Sequence, residues 1–165
     1  MKVQFSVKMK PKYMYNFLIS HIYKSFMGLF SILIGIASVC MAFYSYRSGT
    51  SAYILCYVVV AALALIYPPV MLWFRARQQV LMSPVFKKPS DYEINLEGVR
   101  VTQEEETAFA AWEELYRIRS TKMSVIVYID KRKAMIWPKE CIGSQYADLE
   151  KLIRDNMPSS KVKIR

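Results

Sequence analysis

Two uncharged stretches decide how this chain is built: Ser25–Tyr46, SFMGLFSILIGIASVCMAFYSY, and Ala52–Phe74, AYILCYVVVAALALIYPPVMLWF. Each reaches the roughly 20 residues that an α-helix needs to cross about 30 Å of hydrocarbon. Both are apolar on every side, and a chain of 165 residues is too short to surround two such helices with protein. They are therefore expected to be membrane spans, 25–46 and 52–74, joined by an external turn at 47–51 in which Gly49 suits a tight helix-to-helix connection. Ser31, Gly35, Ser38 and Ala42 offer small steps against Ala61, Ala62 and Ala64, so an antiparallel hairpin is expected. Pro68-Pro69 should kink or end the second helix near its inner end. Neither stretch holds an ionisable group between Phe26 and Tyr46 or between Ala52 and Phe74, which reads as an anchor and not as a transport path.

Working outward, the charges sort by side. Residues 1–90 carry ten Lys and Arg and no Asp or Glu, while residues 91–165 carry 13 of each sign. The whole net charge of +10 therefore belongs to the apolar half. A nucleic-acid-binding protein would spread that charge along a soluble face, so no nucleic-acid partner is expected. Five lysines precede the first stretch, Arg75, Arg77, Lys87 and Lys88 follow the second, and the turn holds Arg47 alone. The positive-inside rule then predicts a multi-pass cell-membrane protein with both termini cytoplasmic. Tyr44, Tyr46 and Tyr53 near the turn, with Tyr67, Trp73 and Phe74 towards the other surface, fit aromatic belts. The first stretch is not read as a signal peptide, because 24 residues precede it and a second stretch follows at once. Ala37-Ser38-Val39-Cys40 is a poor lipoprotein box, since Val39 is large.

The ends of the chain read as a second kind of structure. Val3, Phe5, Val7 and Met9 alternate with polar residues, which predicts an N-terminal strand over 1–10 with one buried face. Such a strand must join a sheet, and the C-terminal half offers the only candidate. Pro11 opens an interfacial helix over 11–24, with Met14, Phe17, Leu18, Ile22 and Phe26 at helical spacing. From residue 75 the pattern is short strands and then one helix. Tyr92 and Ile94 alternate with charged neighbours, Asn95-Leu96-Glu97-Gly98 is a turn, and Val99 and Val101 resume the alternation. Thr107–Trp112, Tyr116–Ser120, Met123–Ile129 and Ala134–Trp137 read as further strands, and Gln145–Met157 as an amphipathic helix.

Little in the chain resembles a reaction centre. His21 is the single histidine, set beside the first apolar stretch, and it reads as an interfacial polar residue. Cys40, Cys56 and Cys141 form no CxxC pair, so neither a zinc site nor a disulfide framework is expected. Adjacent Glu113 and Glu114 point apart on a helical turn and make a poor acid–base pair. Glu104–Glu106 lack calcium-loop spacing. No enzyme, cofactor or metal is expected. The sharpest binding candidate is Lys131-Arg132-Lys133 at a hairpin tip, joined by Arg75, Arg77, Lys87 and Lys88, as contacts for anionic headgroups or a protein partner. Trp112 and Trp137 are expected in the core.

Strands closed by a C-terminal helix follow the plan of a pleckstrin-homology-like barrel. In Tyr92-x-Ile94-x-x-x-Gly98-Val99, Trp112-x-x-Leu115, Ile136-x-Pro138-Lys139 and the helix after Cys141, the chain resembles the YcxB-like proteins of bacteria. That resemblance implies a two-span membrane anchor with a cytoplasmic domain at 75–165, and no established activity. Ala108, Ala110 and Ala111 depart from it, standing where bulky strand residues are usual. The expected fold class is thus a membrane α+β protein, a helical hairpin plus a small barrel or sheet domain that the N-terminal strand completes. The expected function is a membrane-anchored interaction module that binds a protein partner, a second copy or headgroups. The alternative is a subunit or regulator of a larger membrane complex through the hairpin.

Overall fold

A computed structural model describes residues 2–23, 25–130 and 133–164. The chain divides into two compact units, one of residues up to Phe17 and from Gln78 onward, the other Leu18–Arg77. In the first unit the N-terminal strand forms as expected. Strand β1 is Val3–Val7, with Val3, Phe5 and Val7 buried and Gln4 and Ser6 exposed. It pairs antiparallel with β2 (Ser90–Ile94), with Val3 opposite Ile94, Phe5 opposite Tyr92 and Val7 opposite Ser90. The two partners are separated in sequence by both apolar stretches.

Sheet one continues through β3 (Gly98–Gln103) to β4 (Glu106–Ala111), in the order β1-β2-β3-β4. Asn95 makes the β2–β3 turn, because its Oδ1 accepts the amide hydrogens of Glu97 and Gly98. Sheet two contains β5 (Arg117–Ser120), β6 (Ser124–Tyr128), β7 (Ala134–Pro138) and β8 (Val162–Lys163), ordered β7-β6-β5-β8. Strand β8 has no counterpart among the expected strands; it lies parallel to β5, and its two residues are too few to show a period.

The core lies between the two sheets and a helix. Phe5, Tyr92 and Trp137 form an aromatic trio with ring centroids 5.6–5.7 Å apart, which joins β1 and β2 to β7. Helix α6 (Tyr146–Asn156) presents Leu149, Leu152 and Ile153, all buried, as its amphipathic pattern requires. Trp112 is buried as expected, and its indole N–H donates to Asn95 O at 3.0 Å. Helix α5 is a single turn, Lys139–Ile142.

Helix α1 (Pro11–Ile22) differs from a helix that only lies on a membrane surface. Tyr13 and Met14 are buried, Asn16 Oδ1 accepts from Thr121 at 2.8 Å, and the Phe17 and Tyr128 rings lie 6.5 Å apart. Its first turns thus cover the outer face of sheet two. That explains why all five residues of β6 are buried although a strand has two faces.

In the second unit, α2 is Phe26–Arg47, capped at Ser25, whose hydroxyl accepts from Gly28 N at 3.3 Å. It ends in a left-handed Gly49 with φ 72°, and the Thr50 amide reaches back to Ser45 O. The next helices are α3 (Ile54–Leu65) and α4 (Tyr67–Met82). The break falls at Ile66, just ahead of Pro68-Pro69, but the helix then runs on to Met82, eight residues past the expected end at Phe74. Prolines in a first turn lack only amides that would have no helical partner there. Pro68 cannot donate to Ala64 O one turn earlier, and the Ser31 hydroxyl of α2 takes that carbonyl instead, at 2.8 Å. Gly35 is a point of close approach, since a Cβ there would lie 2.4 Å from the Leu65 side chain. Phe26–Arg47 and Ile54–Met82 are each long and apolar enough to cross a membrane.

Candidate functional site

The basic residues singled out in the sequence fall in both compact units, Arg75 and Arg77 in one and Lys87, Lys88 and Lys133 in the other. Arg75 and Arg77 sit on α4, both exposed, with the Arg77 guanidinium 5.6 Å from the Trp73 ring centre. Lys87 is exposed after a short 3-10 turn at Pro84–Phe86. Lys88 is exposed and forms an ion pair with Glu104, also exposed. Lys131 and Arg132 lie outside the described residues. Lys133 is exposed, and its amide donates to Asp130 Oδ1 at 2.7 Å, closing the β6–β7 turn.

Sequence reading passed over two clusters. The first is basic. Arg117 and Arg119 flank the buried Ile118 on β5, so both point to the outer face of sheet two, and Lys163 of β8 sits beside Arg119. The Arg117 guanidinium lies between the Tyr128 and Tyr116 rings, 4.6 and 5.4 Å from their centres, and its Nε is buried without a hydrogen-bond partner. The signal was the alternation Arg-Ile-Arg; what hid the cluster was the two-residue β8.

The second is a clasp on the N-terminal arm. Glu140 Oε2 accepts from Lys12 Nζ at 2.7 Å and from the Tyr13 hydroxyl at 2.8 Å, and Lys10 Nζ lies 3.8 Å from Oε1. The hydrogen bond from Lys12 holds the Glu140 carboxyl below the usual carboxylate range. Burial, with Glu140 beside it, raises the Tyr13 phenol. A parallel set ties down β1: Lys2 Nζ is 3.0 Å from Glu93 Oε2, Gln4 Nε2 donates to the same oxygen, and Gln4 N donates to Gln145 Oε1 at 3.0 Å. The Lys2 hydrogen bond lowers the Glu93 carboxyl, and burial pushes Tyr92 up to about 12. These partners were illegible because each joins residues about 90 or more positions apart.

No group of three or more His, Cys, Asp or Glu able to hold a metal occurs among the described residues. Glu114 caps the turn at Trp112–Glu114, where its Oε2 accepts from Ala111 N at 3.0 Å. Glu104, Glu105 and Glu106 make the tight β3–β4 hairpin, with Glu104 left-handed at φ 55°.

Neither curated proteins nor solved structures give a match to this chain. Residues 94–153 match the family described as YcxB-like protein. The matched stretch starts at the last residue of β2 and stops within α6, so it takes in β3 to β7 but not β1, β8 or the apolar helices. Of the residues behind the resemblance, Ile94, Gly98, Val99, Trp112, Leu115, Ile136, Pro138 and Lys139 lie inside the matched stretch, and Tyr92 lies outside it.

Proposed function

We propose that this chain is a non-enzymatic, membrane-anchored interaction module. Helix α2 and the α3–α4 pair cross the membrane as a hairpin, both termini are cytoplasmic, and the two-sheet unit is a pleckstrin-homology-like domain that engages a protein partner or anionic headgroups. The observation that carries this reading is the β1–β2 ladder. Strand β1 precedes both apolar helices and β2 follows them. Two strands that hydrogen-bond to each other must share one side of a membrane, so an even number of crossings separates them. The basic excess on the flanks assigns that side to the cytoplasm. Two sheets closed by α6 support the pleckstrin-homology-like plan. The exposed cations Arg75, Arg77, Lys87 and Lys133 suit headgroups, each contributing about 1 kcal/mol near an anionic leaflet.

The test is labelling in intact cells of a chain whose three cysteines are replaced. Ser48→Cys should react with an impermeant thiol reagent from outside, and Ser144→Cys should react only after the membrane is opened. A Ser144 label from outside would overturn the orientation. Charge-dependent binding is read with anionic against neutral vesicles.

A second reading, a subunit or regulator of a larger membrane complex, draws support from one feature. An apolar groove of about 300 Å³, lined by residues including Val39, Ala42, Val58 and Ala61, runs along the α2–α3 pair. Its small residues admit a partner helix at close range.

A further inference from the structure

Sheet two and the helix that covers it are free of acidic side chains. None of α1, β5, β6, β7 and β8 contains an Asp or Glu. Elsewhere in the same unit, cations find carboxylates. Lys2 and Arg100 share Glu93, Lys12 reaches Glu140 of α5, and Arg154 has Glu150 one helical turn away. Among the described residues no ion pair includes Arg117, Arg119 or Lys163.

These three cations form one group. Arg117 and Arg119 are two residues apart on β5, so they stand on the same face with their Cα atoms about 6.7 Å apart. Lys163 is the register partner of Arg119 on the parallel strand β8, about 4.8 Å away, and projects to that face too. Their neighbours Ile118 and Val162 pack on the core, which fixes the outward direction of the cations. Arg119 is half-buried and Lys163 exposed, so α1 does not seal this corner of the sheet.

Arg117 sets the chemistry. The Tyr128 and Tyr116 rings hold its guanidinium, with centres 4.6 and 5.4 Å away, and its buried Nε has no hydrogen-bond partner. Ring faces attract the charge but accept none of the N–H groups of the fork in its plane. A half-buried cation with unfilled donors is a costly arrangement. An anion at its terminal nitrogens would offset that cost.

We infer that Arg117, Arg119 and Lys163 form a binding site for a phosphate monoester, carried on a lipid headgroup or free in solution. Charge and shape select phosphate over carboxylate. A phosphate monoester carries a charge of about −1.5 to −2 at neutral pH and presents three acceptor oxygens to three cations, whereas a carboxylate has one charge and two oxygens. A ring-stacked guanidinium is also a pre-organised fork for bidentate phosphate contact. The site is built by β5, β6, β8 and Tyr116. It needs neither the helical hairpin nor a given orientation of the termini, so it stands apart from the anchored-module reading.

The experiment is calorimetric titration of the full chain, held in discs of neutral phosphatidylcholine, with inorganic phosphate. Saturable binding of one phosphate per chain is expected. Arg119→Gln with Lys163→Gln should weaken it by about tenfold or more, with the melting temperature unchanged. Arg117→Lys keeps the charge but loses the fork, and should weaken binding by a similar factor. Arg75→Gln with Arg77→Gln, in the other unit, should leave it unchanged. Discs that include phosphatidic acid separate the two sources: loss of the inorganic-phosphate heat there assigns the site to a headgroup, and its persistence assigns the site to soluble phosphate. Absence of saturable phosphate binding, binding that survives Arg119→Gln with Lys163→Gln, or tighter binding of a glutamate peptide than of phosphate would each overturn the proposal. An outside label at Ser144→Cys with phosphate binding intact would instead sink the orientation and spare this site.

Discussion

The same side-chain types meet opposite fates in the two units. Val3, Ile94, Leu149 and Ile153 of the sheet unit are at most 1% exposed, whereas Phe26, Leu33 and Leu55 of the helical unit are 83%, 57% and 73% exposed. In the first case the chain supplies its own apolar surroundings from strands before and after the helices. In the second, two helices alone cannot cover one another, and the buried residues of α2 and α3 are small ones, Gly28, Gly35, Ser38, Ser45 and Ala61. The difference lies in periodicity. A two-residue alternation implies one covered face, and a run that is apolar on every side implies that the surroundings are apolar too.

The largest effect expected is on the self-covered side. Phe5→Asp removes one ring of the Phe5–Tyr92–Trp137 trio and buries a charge, and truncating a buried Phe alone costs about 3–5 kcal/mol. That is a large share of the roughly 5–15 kcal/mol of a small domain. Gln4→Asp, opposite Glu93 on the outer face, should cost on the order of 1 kcal/mol or less. Thermal unfolding of the sheet unit measures both, and equal losses would erase the distinction between the faces of β1.

In the helical unit, Leu33→Arg should be the next largest. A central arginine costs about 2.5–3.5 kcal/mol of insertion, whereas an exposed leucine in water would tolerate the change. Glycosylation-tag insertion assays read it, and unchanged insertion would count against α2 as a span. Ser31→Ala leaves Ala64 O without its donor and should weaken the α2–α3 pair by about 0.6 kcal/mol, at most about 1.7. A double-mutant cycle with Gly35→Ala would show whether the two contacts act together.

The Glu140 clasp should give the smallest effect, and a pH-dependent one. The folded carboxyl titrates below its ordinary 4.5, so its contribution is complete above that pH and is lost as pH falls through the lowered value. Glu140→Gln should therefore lower the melting temperature at neutral pH and converge with the parent in acid. A constant difference across the acid range would mean that the ion pair contributes nothing.

Much of the fold was legible because it rests on local patterns. The alternation at residues 3–7, the Asn95–Gly98 turn, the buried Trp112 and Trp137 and the face of α6 each follow from neighbouring residues. What escaped rests on distant partners or on position within a helix. Pro68 and Pro69 read locally as a kink or an end, and the helix does break at Ile66, but it resumes because both fall in the first turn of α4, where a helix accepts them. Arg117 and Arg119 gain meaning only beside β8, and Glu140 only beside Lys12 and Tyr13. Ala108 is exposed on the edge strand β4, while Ala110 packs half-buried against the core. The candidate site was the least legible part, since exposed cations such as Lys87 and Lys133 carry no periodic signal.

A strand from before the apolar helices completes a sheet after them, and the topology of the whole chain rests on that pairing. Ser6 and Asp91 are direct partners in the ladder, at a non-hydrogen-bonded position suited to a disulfide. In the full chain, with its three natural cysteines replaced, Ser6→Cys with Asp91→Cys should oxidise within one molecule while it sits in the membrane. Thr102→Cys with Thr107→Cys, neighbours on β3 and β4, gives the positive control. Comparable intramolecular disulfide yields are expected for the two pairs; a control that oxidises while Ser6→Cys/Asp91→Cys stays reduced would contradict the pairing.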